Sequence, residues 1–188
     1  MRKCTSRLLA GVAVVWLLGW VAAASAQTVT FNLTLLGANE PDGAGNLGAG
    51  DPDGVATGTL ALNPVADTVD YNFTYSNISG TAISGFHIHG PATPTQNVGV
   101  LIGLPLSSTV VPNGTQIGQV TVANDANLSA KIDQVLANPT MYYLNLHSSG
   151  TGGFPGGAVR ATLPEPGAMA ALAMSSSVLL MRCRRRRR

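Results

Sequence analysis

The stretch over 27–163 predicts an all-β domain, an antiparallel Greek-key-like β-sandwich or barrel with one short helix. Three observations predict it. Apolar and polar residues alternate with a period of two in segment after segment, as a half-buried strand requires. Clusters of Gly, Pro, Asn and Asp separate those segments and supply the turn chemistry that strand joints need. The segments are short, numerous and evenly spaced, which is the sequence form of sandwiches and barrels.

The first strand is expected over 28–35, where Val29, Phe31, Leu33 and Leu35 alternate with Thr28, Thr30, Asn32 and Thr34. A second is expected over 55–62. A third follows over 69–75, with Val69, Tyr71, Phe73 and Tyr75 on one face and Asp70, Asn72 and Thr74 on the other. Further strands are expected over 83–89, 98–104, 115–122, 141–147 and 158–163. One helix interrupts them. Leu128, Ile132, Val135 and Leu136 fall on one helical face and Pro139 follows its end, so the helix should bridge two strands and cover one end of the core.

The segment 37–54 has no periodicity. It carries Glu40, Asp42, Asp51 and Asp53 among six glycines. Carboxylates such as Asp42, Asp51 and Asp53 on flexible backbone suit Ca²⁺, a hard cation that takes oxygen ligands. The EF-hand spacing is absent, however, and Asp-Pro-Asp-Gly is by itself a good turn. Five Asn-x-Ser/Thr sequons, at Asn32, Asn72, Asn77, Asn113 and Asn127, read as strand and turn polarity.

Charge is divided sharply by position. Nine of the eleven basic residues lie at the two ends of the chain. Between Gln27 and Leu163 only Lys131 and Arg160 remain, against eight carboxylates, so the clustered cations that a phosphate backbone requires are missing and nucleic acid is excluded as a partner. Arg160 alternates outward between Val159 and Ala161. Two roles suit it: an ion pair with a carboxylate such as Asp70 or Asp133, or an anion site.

The ends read as addresses. Residues 1–26 carry basic Arg2, Lys3 and Arg7, a 17-residue apolar run over 8–24, and the triplet Ala24-Ser25-Ala26. That is the layout of a cleavable signal peptide cut after Ala26 by signal peptidase, the alternative being a retained membrane anchor. At the other end, over 164–188, Pro164-Glu165-Pro166 precedes 15 uncharged residues, then Arg182, Cys183 and five arginines. Arginines beside an apolar segment stay cytoplasmic, which sends the preceding domain outward. The 15 residues make about 22 Å of helix against a hydrocarbon core of roughly 30 Å, which suits transient inner-membrane anchoring. The order Pro-Glu-Pro, apolar helix, Arg-rich end resembles the PEP-CTERM sorting tail of Gram-negative bacteria that make exopolysaccharide. The resemblance implies removal by an exosortase and passage through the periplasm to the cell surface or extracellular matrix. Although export permits disulfides, the segment 27–163 contains no cysteine, so the fold must close on packing or on a bound metal.

All three histidines of the chain lie in the β domain: His87, His89 and His147. In Gly85-Phe86-His87-Ile88-His89-Gly90 the two imidazoles share one strand face, with Phe86 and Ile88 on the opposite face. In the strand over 141–147, Tyr142, Leu144 and Leu146 form the apolar face and Tyr143, Asn145 and His147 the other. If the two strands are neighbours, the three imidazoles converge. Imidazole is the commonest protein ligand for Zn²⁺ and Cu²⁺, and three leave a fourth position open. The plainer alternative is that each histidine hydrogen-bonds a loop carbonyl and orders a turn.

Taken in order, Leu36-Gly37-Ala38-Asn39-Glu40-Pro41, Gly85-Phe86-His87-Ile88-His89-Gly90-Pro91, Tyr142-Tyr143-Leu144-Asn145-Leu146-His147 and Pro155-Gly156-Gly157-Ala158-Val159-Arg160 resemble the CHRD domain, first described in chordin. Ala158 stands where that family usually has an acidic residue, and Ala161 where it has Gly. The resemblance implies an extracellular all-β module associated with binding a secreted partner, without an enzyme activity. The segment 85–89 also resembles the copper-binding strand of Cu/Zn superoxide dismutases, but three histidines fall short of that dinuclear site. Two functions follow. One is an exported surface or matrix module that binds an extracellular protein or polysaccharide. The other is a mononuclear copper or zinc protein with His87, His89 and His147 as ligands.

Overall fold

The computed structural model describes residues 27–165. The expected signal over 1–26, with Ala24 and Ala26, and the tail from Pro166 onward lie outside those residues. Pro164 and Glu165 close the described chain as exposed, irregular backbone. Among the described residues no helix is long and apolar enough to cross a membrane.

Each expected strand forms, with shifted ends: β1 Val29–Leu36, β2 Val55–Asn63, β3 Thr68–Ser76, β4 Ala82–His89, β5 Val100–Gly103, β6 Gly114–Thr121, β7 Tyr143–Ser149 and β8 Val159–Thr162. The helix α1 is Leu128–Ala137, and it buries Leu128, Ile132 and Val135. The largest shift is at β7, because Pro139–Met141 takes a 3-10 turn and delays the strand to Tyr143.

The eight strands form one antiparallel sheet in the order β5-β4-β7-β8-β1-β2-β3-β6. It is a single curled sheet, a half-barrel, rather than two stacked sheets. Its concave side holds Leu33 and Leu35 of β1, Leu60 and Leu62 of β2, Tyr71 and Phe73 of β3, Phe86 and Ile88 of β4, and Leu144 and Leu146 of β7. Phe86 meets Tyr71 and Phe73 edge to face, with centroids 5.8 and 5.4 Å apart. This is the favourable aromatic geometry.

The outermost strands β5 and β6 are consecutive in the chain, and the segment joining them bridges the gap between the sheet edges. On one side Leu104 N–H donates to Phe86 O and Ile83 N–H donates to Thr109 O, both at 2.9 Å. On the other, Gln116 of β6 accepts from Ser107 N–H at 2.9 Å and donates to Ser108 O at 2.5 Å. Tyr71 and Tyr75 of β3 reach the same segment by donating to Pro105 O and Val110 O. Their register partners on β6 are Gly118 and Gly114, where a Cβ would strike the phenol ends, so bare backbone is what lets the rings pass. The joining segment and these side chains thus finish the closure that an eighth ladder, between β5 and β6, would otherwise make.

Candidate metal centre

The convex side of β4, β7 and β8 is polar, yet it is covered. Strand β7 is buried on both faces from Tyr143 through Leu146. Three loops form the cover. Asn97 Nδ2 donates to Pro41 O at 3.0 Å, Phe154 N–H donates to Ser148 Oγ at 3.0 Å, and Asp51 N–H donates to Ala158 O at 2.8 Å. The alternation correctly assigns His87, His89, Tyr143, Asn145, His147 and Arg160 to the side opposite Phe86 and Leu144. What it does not reveal is that the side is roofed over.

Strands β4 and β7 are neighbours, with Gly85 opposite His147, His87 opposite Asn145, and His89 opposite Tyr143. The three imidazoles therefore gather. Their ring centroids are 5.0 Å (His87 to His147), 5.5 Å (His87 to His89) and 5.7 Å (His89 to His147) apart. One nitrogen from each lies within 4.8 Å of the other two. Gly85 makes this possible: a Cβ there would come within 2.5 Å of His87 Cε1.

Hydrogen bonding fixes which nitrogens face inward. His89 Nδ1 lies 2.9 Å from Val98 O, and His147 Nδ1 lies 2.9 Å from Pro155 O. A carbonyl only accepts, so each Nδ1 carries the proton and each Nε2 keeps a free lone pair. Those two Nε2 atoms and His87 Nδ1 are buried without a hydrogen-bond partner. Buried acceptors without donors cost free energy. A cation among them would satisfy all three. Burial and the neighbouring His147 and His89 push the His87 pKa down to about 4. Burial also lowers His89 and His147, against the opposing pull of their carbonyl partners. The cluster is therefore neutral at ordinary pH, the form in which imidazole binds metal. A histidine that binds a metal through one ring nitrogen usually donates from the other to a carbonyl or carboxylate that orients it, and the Val98 and Pro155 carbonyls are so placed. His87 also borders an open groove of about 670 Å³, with Pro105, Asn124, Asp125 and Lys131 on its other sides.

Arg160 differs from expectation. It is 1% exposed and pairs with neither Asp70 nor Asp133; among the described residues the one ion pair is Lys131 with Asp125, at 2.5 Å. Its guanidinium lies over the Tyr143 ring, with Cζ 3.3 Å from the centroid. It donates to Gln96 O, Asn97 Oδ1 and Thr93 O at 3.0, 3.1 and 3.4 Å. Asp70 instead accepts from Gln119 Nε2 at 2.6 Å. The guanidinium is buried under the loop that it clamps and does not face an open pocket.

The expected calcium ligands do not gather. Asp42 accepts from Ala44 N–H, Asn46 N–H and Asn46 Nδ2 within its own turn. Asp51 is buried and accepts from Ser79 N–H at 2.6 Å and, more weakly, from Asp53 N–H at 3.4 Å. Among the described residues the histidine trio is the one group of three or more metal-ligating side chains. Glu40, Tyr143 and Asn145 belong to the covered layer as well, and of these the sequence gives no sign of burial at Glu40. Glu40 is 2% exposed with both carboxyl oxygens unpartnered, and burial pushes its pKa up to about 7 against the lowering effect of Arg160. Tyr143 and Asn145 were legible as His147's companions on one strand face.

The half-barrel and its roofed histidine trio define a class: a cysteine-free β module with a preformed, neutral, nitrogen-only cluster. The CHRD domain model matches residues 23–163, and the chain belongs to the CHRD-domain family. No curated protein and no solved structure matches it significantly.

Proposed function

We propose that this chain is an exported CHRD module that binds one transition-metal ion, copper or zinc, through His87, His89 and His147. The observation that carries the reading is the convergence of three buried, unpartnered imidazole nitrogens, two of them oriented by backbone carbonyls. Loop-ordering hydrogen bonds alone would explain the two carbonyl contacts. They do not explain why the remaining nitrogens face one another rather than solvent or a donor. Neutral donors at this spacing suit ions that take imidazole, and the lack of any carboxylate among them disfavours Ca²⁺ and Mg²⁺.

Export is part of the same reading. The signal layout over 1–26 and the Pro164-Glu165-Pro166 tail support secretion by signal peptidase and sorting by an exosortase, ending at the cell surface or matrix. There the module would meet an extracellular protein or polysaccharide, and metal binding without turnover is sufficient for such a role.

The test is metal content of the full chain purified after growth with copper and zinc. One equivalent is expected, and His89→Ala should drop it below a tenth. A metal-free parent chain, or equal loading in His89→Ala, would overturn the reading.

A further inference from the structure

The covered layer contains a buried cation whose charge is not cancelled by direct pairing. Strand β7 lies between β4 and β8 in the sheet, so Tyr143 stands between His89 on one side and Arg160 on the other. Its ring stacks on His89 at 4.9 Å and 3°, while the Arg160 guanidinium lies 3.3 Å from its centroid. All the recorded acceptors of the Arg160 guanidinium are neutral: two carbonyls and the Asn97 amide. We propose that Arg160, acting through Tyr143, limits the charge that an ion held by the three histidines can carry, so that the centre favours copper in its monovalent state.

This rests on the metal reading above and goes beyond it by naming the ion and its oxidation state. The argument is one of charge. Three neutral imidazoles bring no negative charge to the ion, unlike a thiolate or carboxylate ligand. In a buried site, fields act with little screening. A fixed positive charge on the far side of a ligand's stacking partner therefore penalises a divalent ion more than a monovalent one. The nearest compensating acid is Glu40, whose desolvated carboxyl is only partly ionised near neutral pH. The same geometry would serve a purely structural role for Arg160, since it clamps Thr93, Gln96 and Asn97 while Tyr143 Oη accepts from Val98 N–H at 3.2 Å. That role would set where His89 points, not which oxidation state is preferred.

The experiment separates the two. The full chain and its Arg160→Met, Arg160→Lys and Glu40→Gln variants are loaded with copper, and metal content is measured in each. Competition with bicinchoninate for Cu(I) and with glycine for Cu(II), at pH 8, gives the ratio of the two affinities. Arg160→Met should lower the Cu(I) to Cu(II) affinity ratio about tenfold, equivalent to a midpoint lower by about 59 mV. Arg160→Lys keeps the charge and should stay near the parent. Glu40→Gln removes a negative charge and should move the ratio the opposite way, which decides the matter should Arg160→Met fail to fold. Copper bound with the same ratio in the parent, Arg160→Met and Glu40→Gln would overturn the charge role and leave the metal site standing, as would Arg160→Lys shifting as far as Arg160→Met. A parent chain that binds no copper would overturn this inference alone if it still takes up zinc, and one that binds neither metal would overturn the metal reading as well.

Discussion

The imidazole of His87 occupies the space a side chain at Gly85 would need, so the metal-ready geometry depends on a residue that offers no ligand. In Gly85→Ala the ring is the movable partner and swings away, leaving the fold nearly intact. Metal affinity should fall about 10–100-fold, the range seen when a ligand's supporting partner is lost, with thermal unfolding of the metal-free protein close to the parent. Unchanged affinity would show that the ring position is not needed. The titration of His87 gives a second expectation. Its folded pKa of about 4 lies below its ordinary value of 6.5, so the unfolded chain binds the proton more readily. Stability from this group is therefore present above about pH 6.5 and is lost as pH falls through about 4. Relative to His87→Gln, the metal-free parent should lose stability as pH falls from 7.5 to 4, as read by urea unfolding; a constant difference across that range would contradict the assignment. At this scale the sequence was informative about the gathering of the three histidines, because two at i and i+2 and a third selected by alternation need only strand geometry. It gave no sign that Glu40 is buried, because that residue lies in a segment without periodicity. It was misleading for Arg160, because alternation tells which side a residue takes and not whether a loop covers that side.

The strands themselves follow from alternation and turn residues, with one instructive inversion at β6. There the polar Gln116 is fully buried while Ile117 is 55% exposed. Ile117 and Val120 have opposite parity, so one strand cannot bury both. It buries Val120, and Gln116 then points inward to hold the segment that closes the half-barrel. This was not legible beforehand, since the need for an inward polar group comes from the sheet order, which places β5 and β6 at opposite edges. Gln116→Leu leaves Ser107 N–H and Ser108 O without partners. It should destabilise the domain by about 2–4 kcal/mol in urea unfolding and speed amide exchange at Ile83, whose N–H is held by the same segment. A loss under 1 kcal/mol would mean the closure matters little.

For the molecule as a whole, the separation of charge along the chain and the absence of cysteine over 27–163 bear on one design. A domain without disulfides needs closure from packing and from covered polar layers, and this one has both. The family assignment was legible because its motifs are spread in order through every part of the domain. The single curled sheet was not, since strand patterns do not say whether eight strands make one sheet or two. The proposed sorting makes its own expectation: replacing Glu165 by Ala should leave the chain in the membrane fraction, and unchanged release would count against exosortase processing. The central claim, however, is the nitrogen-only metal centre. X-ray absorption at the zinc edge of the zinc-loaded full chain tests it most directly, because the chain also offers Cys4 and Cys183 as competing sulfur ligands. The account predicts three imidazole nitrogens at about 2.0–2.1 Å and no sulfur. A shell dominated by sulfur near 2.3 Å, or one without the multiple scattering of imidazole rings, would contradict it.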